Sequence, residues 1–370
     1  MTIKIPYVNL KKQSNEENSK IVNALKKILS ESNFILGDET KKFEKNICKY
    51  LNVNYCVALN SGTDALTLAL SLVGVKRGDE VITASNSFIA SVASIAHLGA
   101  KPVFSDALED YNIDPKDIKK KINNKTKAIM PVHLTGKSCN MDEIKKISKD
   151  YNIPIIEDAA QAIGTKFKNR FVGTFGEIGC FSAHPLKNLN AIGDAGYLVT
   201  NKKKFYKKAL LLRNHGMENR NTIKLFGHVS RMDNFQAAVL NIRLKSLNKV
   251  IKKRRQNAKL YEKYLKNIND VKLPSDGKNN YSTFHTFLIT AKKRDELRKF
   301  LLKKGISTAI HYPYLIHKLK FIKKYNHLKY NLPIAEKMVK QILTLPINQY
   351  MTKSEIKYIS ENIIKFYKGN

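Results

Sequence analysis

Between Tyr55 and Thr200 the chain repeats one pattern: a short run of consecutive apolar residues, a polar turn, then an amphipathic stretch of helical length. The runs are YCVAL, EVITA, KPVFSD, TKAIMPVH, IPIIEDA, IGCFSA and GYLVT. A strand with one face in water alternates apolar with polar residues, whereas a continuous apolar run implies burial on both faces. Such strands separated by helices specify an α/β fold with a mainly parallel sheet sandwiched by helices. Sheets of this kind take ligands in the crevice beyond the carboxyl ends of their strands. The polar residues that close each run are therefore the candidates for a site: Asn60 to Thr63, Asp106, His133, Glu157 with Asp158, and Ser182 to Lys187.

Three of these closures carry a chemical suggestion. In NSGTDALTLAL a strand turns into a helix through small hydroxyl residues and a glycine. Ser61 or Thr63 caps the helix, Gly62 lets the backbone approach a ligand, and the first-turn N–H groups favour an anion such as a phosphate. The same residues read equally as a plain helix cap. In IPIIEDAAQAIG a strand ends in two carboxylates. One of them, held at a strand end, can pair with the protonated ring nitrogen of a pyridine-type cofactor, with Gln161 on a neighbouring ring substituent; otherwise both cap the next turn. In IGCFSAHPLKNLNAIG, Lys187 follows a buried strand with Ser182 and His184 close by. Burial lowers a lysine pKa from about 10.4 and makes the neutral amine available to attack a carbonyl. Phosphate-type turn, strand-end carboxylate and strand-end lysine together form the set that a pyridoxal phosphate enzyme requires, and Phe88 in SNSFIAS offers an aromatic face to cover the cofactor ring.

The 370 residues exceed what one ordinary core organises. A large domain with an N-terminal arm is expected over 1–245 and a smaller α/β domain over 246–370. The smaller one has strands near FHTFLIT and ISTAIHY and a closing helix from Lys353 to Tyr367. Between them, Arg231 to Leu265 reads as a long helical stretch with Ala237, Ala238, Leu240 and Leu244 on one apolar face. With 66 Lys+Arg against 31 Asp+Glu the formal charge is +35, which raises a basic nucleic-acid-binding protein as the rival from another class. The lysines are spread along the whole chain, with no arginine-rich arm or basic stripe interleaved with aromatics, so neither nucleic acid nor membrane is expected as a partner. Cys48, Cys56, Cys139 and Cys180 lack metal-ligand spacing and read as core residues in a reducing compartment; no metal is expected. MTIKIPYVNLKKQ lacks a leader's apolar segment, and no run approaches the roughly 20 apolar residues of a membrane span. A cytoplasmic protein is expected.

The segments NSGTDAL, GDEVITASNSFIAS, HLTGKSCNMDEI, IEDAAQAIG, FSAHPLKNLNAIGDAGYLVT, LRNHG, SRMDNFQAAVL and GISTAIHYPYLIH, in this order and spacing, resemble the DegT-type nucleotide-sugar aminotransferases. These are fold-type I, aspartate-aminotransferase-like pyridoxal phosphate enzymes. The resemblance runs from about Val8 to Tyr367. It implies that Lys187 anchors pyridoxal phosphate covalently and carries protons, that Asp158 pairs with the ring nitrogen, and that Gln161 contacts the ring hydroxyl. It further implies that Ser61, Gly62, Thr63 and Ser182 hold the phosphate, that Phe88 stacks on the ring, and that His184, His311, Tyr312 and His317 shape the sugar-nucleotide site. The implied reaction carries an amino group from an amino acid, L-glutamate, through pyridoxamine phosphate to a nucleotide-linked 6-deoxy 3- or 4-keto-hexose, in a homodimer with active sites at the interface and the segment around Arg231 facing the neighbour. A sugar dehydratase of the same family is the nearest alternative; those members carry histidine at the position of Lys187. The chain departs from the family pattern at Ala183, Thr135 and Val229, and in GDAG, where Ala195 is compatible with the turn if its φ is negative.

Overall fold

The computed structural model describes residues 4–324 and 329–369. Every apolar run of the first half becomes a strand: β1 Tyr55–Leu59, β2 Glu80–Ala84, β3 Lys101–Ser105, β4 Thr126–Met130, β5 Ile156–Asp158, β6 Ile178–Ser182 and β7 Gly196–Thr200. They fall into two ladders, β1-β7-β6-β5 and β3-β2-β4. Parallel bridges Ile129 to Ile155 and Val132 to Asp158 join the ladders at β4 and β5, through Ile129 N to Pro154 O at 3.0 Å and Asp158 N to Pro131 O at 2.9 Å. The continuous order is thus β1-β7-β6-β5-β4-β2-β3. Among these, β7 alone runs antiparallel to both neighbours, and the other pairings are parallel.

Both faces are covered, as the unbroken apolar runs require. In β1, Val57 and Leu59 belong to a core completed by the helix Gly62–Leu72, while Cys56 and Ala58 face a second core built with the helices Asp38–Leu51 and Asn234–Leu244. The four cysteines are free, three of them buried. No helix among the described residues is long and apolar enough to cross a membrane.

The later half departs from expectation in two places. The long helical pattern is broken at Lys245–Ser246 into Asn234–Leu244 and Leu247–Leu265. There the Ser246 N–H and hydroxyl both bond the Arg243 carbonyl, at 3.1 and 3.0 Å, a local bond that competes with continuing the helix. FHTFLIT yields the strand Phe287–Ala291, paired with Val271–Lys272 and Ile342–Leu345, but ISTAIHY is not a strand. It is divided between two partners: Ser307 N bonds Ile5 O at 3.0 Å, Ala309 N bonds Thr344 O at 3.1 Å, and neither contact extends beyond a bridge. Ile5 itself is packed in the core formed by residues 258–363, so the N-terminal arm is stitched to the C-terminal unit. The closing helix runs from Lys353 to Lys368, opened by a capping box of Thr352 and Glu355.

Candidate active site

A cavity of about 330 Å³ opens at the carboxyl ends of β5 and β6. Its wall includes Ser61, Gly62, Thr63, Phe88, Asp158 and Gln161, together with Ser182, His184, Lys187, His311 and Tyr312. Segments as far apart in sequence as Ser61 and Tyr312 thus meet at one point.

The lysine turn is built by its polar neighbours. Lys187 N donates to His184 O at 2.8 Å and Ala191 N to Ala183 O at 2.7 Å, closing a compact loop after β6. Asn190, buried, donates to Pro185 O at 2.7 Å and exchanges a reciprocal amide pair with Gln13 at 3.0 and 3.2 Å. The Arg243 guanidinium donates to the Asn190 and Ala191 carbonyls at 2.8 and 3.1 Å. Lys187 is therefore presented by a rigid loop. Burial lowers its pKa to about 8, with Asp158 partly opposing the shift.

Successive residues of a strand point to opposite sides, and this separates the two carboxylates. Glu157 is fully buried away from the cavity: it accepts from Gly173, Phe175 and Gly176 N–H groups at 2.6 to 2.7 Å and lies 3.0 Å from His133 Nε2. The His133 Nδ1 accepts from Cys139 N at 3.1 Å, so its proton sits on Nε2 toward Glu157. These two groups hold the chain together and do not reach the cavity wall. Asp158 does reach it. Its Oδ2 accepts from Ser91 Oγ at 2.7 Å and its Oδ1 from Ala160 N at 3.1 Å, while burial raises its pKa and Lys187 is among the groups lowering it.

Gln161 is held at both ends. Its Oε1 accepts from Thr135 N at 2.8 Å and its Nε2 donates to Tyr312 Oη at 3.2 Å, which leaves the Tyr312 proton to be donated elsewhere. Phe88, half exposed at the cavity mouth, lies 5.7 Å from the Tyr312 ring. Burial, with Lys187 nearby, lowers His311 to about 4, so it is neutral at pH 7.

At the Ser61 turn, Ser61 Oγ accepts from Asp64 N at 3.1 Å and caps the helix Gly62–Leu72. Across from it Ser182 Oγ accepts from His184 N at 3.3 Å. Both hydroxyl protons are thereby free for an acceptor in the cavity, beside first-turn N–H groups that have no intrahelical acceptor. Glycine at 62 is needed by the chain itself: a Cβ there would stand 2.7 Å from Ser182 Cβ. Glycine at 196 is stricter still, with a Cβ 2.2 Å from Ser61 C and 2.4 Å from Gly62 N. Ala195 does not have a positive φ, so GDAG keeps the turn. Gly196→Ala meets only backbone and is expected to cost about 1–3 kcal/mol by overpacking and to weaken cofactor binding. A lower melting temperature with a higher half-saturating pyridoxal phosphate would show it; unchanged values of both would refute the constraint.

These contacts fit pyridoxal phosphate. Asp158 is a buried carboxylate whose desolvation a protonated ring nitrogen would offset, Lys187 is a buried amine of lowered pKa, and the Ser61 turn is an anion cradle facing both.

One expected residue is elsewhere. His317 does not line the cavity: the turn Ile316–Lys318 docks on the end of β2 through Ile316 N to Ser85 O at 2.9 Å. This turns the imidazole toward Ser85 Oγ, 2.7 Å away, and against Phe104 and Tyr330. Asp106 is likewise structural, accepting from Ile334 and Ala335 N–H at 3.1 and 2.9 Å. Conversely Tyr7, Ser91, Arg254 and His285 line the cavity without having been singled out. Ser91 stands three residues after Phe88 in the same motif and was findable. Arg254 sits in a run of basic residues that looks like a solvated face.

The sequence profile described as the DegT/DnrJ/EryC1/StrS aminotransferase family matches residues 15–364. The chain is 37% identical to a "Pleiotropic regulatory protein" of Geobacillus stearothermophilus, over 98% of this chain and 99% of that one. It is 36% identical, over 98% and 99%, to a "dTDP-3-amino-3,6-dideoxy-alpha-D-galactopyranose transaminase" of Aneurinibacillus thermoaerophilus. Among solved structures, that of NtdA from Bacillus subtilis with bound cofactor PMP superposes with a TM-score of 0.93 at 30% identity, covering 100% of this chain and 86% of that one.

Proposed function

The chain belongs to the DegT/DnrJ/EryC1/StrS aminotransferase family, and on that premise we propose that it transfers an amino group from L-glutamate to the keto group of a dTDP-linked 6-deoxy-hexose. It is a pyridoxal phosphate-dependent aminotransferase of amino-sugar biosynthesis acting on nucleotide sugars. The observation that carries the reading is the meeting of Lys187, Asp158 and the Ser61 to Thr63 turn in one cavity. The dTDP-sugar assignment is supported by the transaminase of Aneurinibacillus thermoaerophilus.

Pyridoxal phosphate, when bound, supplies an electron sink for the carbon that carries the amine. The chain supplies the rest. Lys187 Nζ would hold the cofactor covalently and, when free, would accept and return the proton at the reacting carbon. A pKa of about 8 leaves roughly a tenth of the amine neutral at pH 7, against about four in ten thousand at the ordinary value. Asp158, fixed by Ser91 and Ala160, would hold positive charge at the ring nitrogen. Gln161 would address the ring hydroxyl, Phe88 would cover the ring, and Gly62, Thr63, Ser61 and Ser182 would take the phosphate. His184, His311 and Tyr312 face the incoming sugar. The chain divides after residue 245 into the cofactor-binding unit and the smaller C-terminal one. It works in the cytoplasm as a homodimer with the site at the interface; the dimer is supported by exposed Ile223, Phe226 and Val229 close together in the chain and by Leu186 and Ile192 beside the lysine turn.

The purified holoenzyme is expected to absorb in the visible, to bleach with L-glutamate, and to regain colour as a dTDP-linked keto-sugar gains an amine, read by mass. Bleaching without amination of any nucleotide keto-sugar would remove the substrate assignment and leave the fold and cofactor standing.

A further inference from the structure

Arg254 is used by none of the steps above. It lies in the helix Leu247–Leu265, is 5% exposed, and forms part of the cavity wall beside Tyr7 and His285. Its Nη1 donates to the carbonyls of Phe284, His285 and Ile347 at 3.1, 3.2 and 2.9 Å, which fixes the guanidinium in place. No carboxylate among the described residues is within ion-pair distance of it, and its Nε is buried without a hydrogen-bond partner, as is His285 Nδ1. Burial lowers its pKa to about 10, so it remains charged at neutral pH. A fixed, buried cation without a counter-ion is costly unless an anion arrives to pair with it.

We propose that Arg254, with the Tyr7 hydroxyl and His285 beside it, forms the subsite for the α-carboxylate of the amino-acid donor. The alternative anion in this reaction is the diphosphate of the sugar nucleotide, and the placement of Arg254 decides between them. Arg254 and Lys187 share the wall of a second recess with Leu186 and Pro185, and both act electrostatically on His285. In an amino acid the carboxylate and the amine are on one carbon, so an anion site that shares a recess with Lys187 brings the amine toward the lysine. In a nucleotide keto-sugar, ring atoms separate the diphosphate from the reacting carbonyl. The neutral imidazoles of His285 and His311 add polar contacts without adding a competing cation.

The inference rests on the aminotransferase reading, and the test separates the two. Bleaching of the holoenzyme is followed against concentration of L-glutamate and of L-glutamate α-amide, in the wild type, Arg254→Gln and Arg254→Lys. Loss of a charge-assisted bond predicts about a tenfold to hundredfold rise in half-saturating concentration. That rise is expected for the α-amide in the wild type and for glutamate in Arg254→Gln, where glutamate and its α-amide become equivalent. Half-saturation by the dTDP-linked keto-sugar is expected to stay within about threefold. If the wild type takes the α-amide as readily as glutamate, the proposal falls, and this comparison needs no variant to fold. A rise for the keto-sugar in place of glutamate would assign Arg254 to the diphosphate. Arg254→Gln with a lowered melting temperature and an unchanged preference for glutamate over its α-amide would make the residue a clamp on the three carbonyls and overturn the proposal, whereas Arg254→Lys, which keeps the cation, is expected to retain part of that preference. A coloured wild-type protein that glutamate does not bleach at any concentration would sink the aminotransferase reading instead.

Discussion

Lys187→Ala is expected to lower turnover by about 10⁴-fold or more, because it removes the anchoring nucleophile and the proton carrier in one substitution. The loop that presents the residue is held by Asn190, Gln13 and Arg243 through backbone and neighbouring side chains, none of which involves the lysine side chain, so the variant is expected to fold. Borohydride reduction of the wild-type holoenzyme, followed by peptide mass mapping, is expected to leave the cofactor attached to the peptide containing Lys187. In the variant no peptide carries it. A reducible covalent adduct that persists in Lys187→Ala would assign the anchor to another lysine.

Asp158→Asn is expected to cost about 10²–10³-fold in turnover, the scale of removing one preorganised charge partner from a buried site. Asparagine keeps the size, can still accept from Ala160 N through its oxygen and can donate its amide N–H to the Ser91 hydroxyl, but it cannot hold a positive charge at a ring nitrogen. Two further signs follow. Asp158 raises the pKa of Lys187 while burial lowers it, so without the carboxylate the half-point for capture of the aldehyde by the apoprotein falls below about 8. Burial also raises the pKa of Asp158 itself above 3.8. The stability such a group contributes is complete below its unfolded pKa and is lost as pH rises toward the folded value. The neutral variant escapes that loss, and apo Asp158→Asn is expected to melt no lower than the wild type at pH 7. A half-point displaced upward, or a marked fall in melting temperature, would contradict the placement of Asp158 beside Lys187.

Both predictions concern residues that were legible in the sequence, and the reason is local. Asp158 and Lys187 terminate unbroken apolar runs, and a buried parallel strand fixes where its terminal residues go. The strands of the sheet, GYLVT among them, follow from runs whose length and composition leave little freedom, whereas the antiparallel direction of GYLVT is not written in its residues. Other features depend on distant partners. Nothing within HYPYLIH tells that Ile316 will dock on Ser85 and carry His317 out of the cavity. ISTAIHY has the composition of a strand but finds its hydrogen-bond partners in Ile5 and Thr344 on two sides. Glu157 and Asp158 are chemically equivalent neighbours, and only the side from which the Gly173 to Gly176 turn approaches separates the structural carboxylate from the one in the cavity. Arg254 was hidden for a statistical reason: in a chain with 66 Lys+Arg, one buried guanidinium is indistinguishable from its solvated neighbours.

The threading of Ile5 into the core of the C-terminal unit bears on how the protein is made. Tyr7, two residues along, and Ile347, near the far end, face the same cavity. In synthesis the arm precedes, by most of this sequence, its hydrogen-bonding partner Gly305 and its packing partners from Ala258 to Ile363. The strands that carry Asp158 and Lys187 also precede those partners, so this wall of the pocket is absent from any nascent chain that has not yet extended past them. Synthesis of residues 258–363, and not of the sheet, supplies the wall that encloses the lysine.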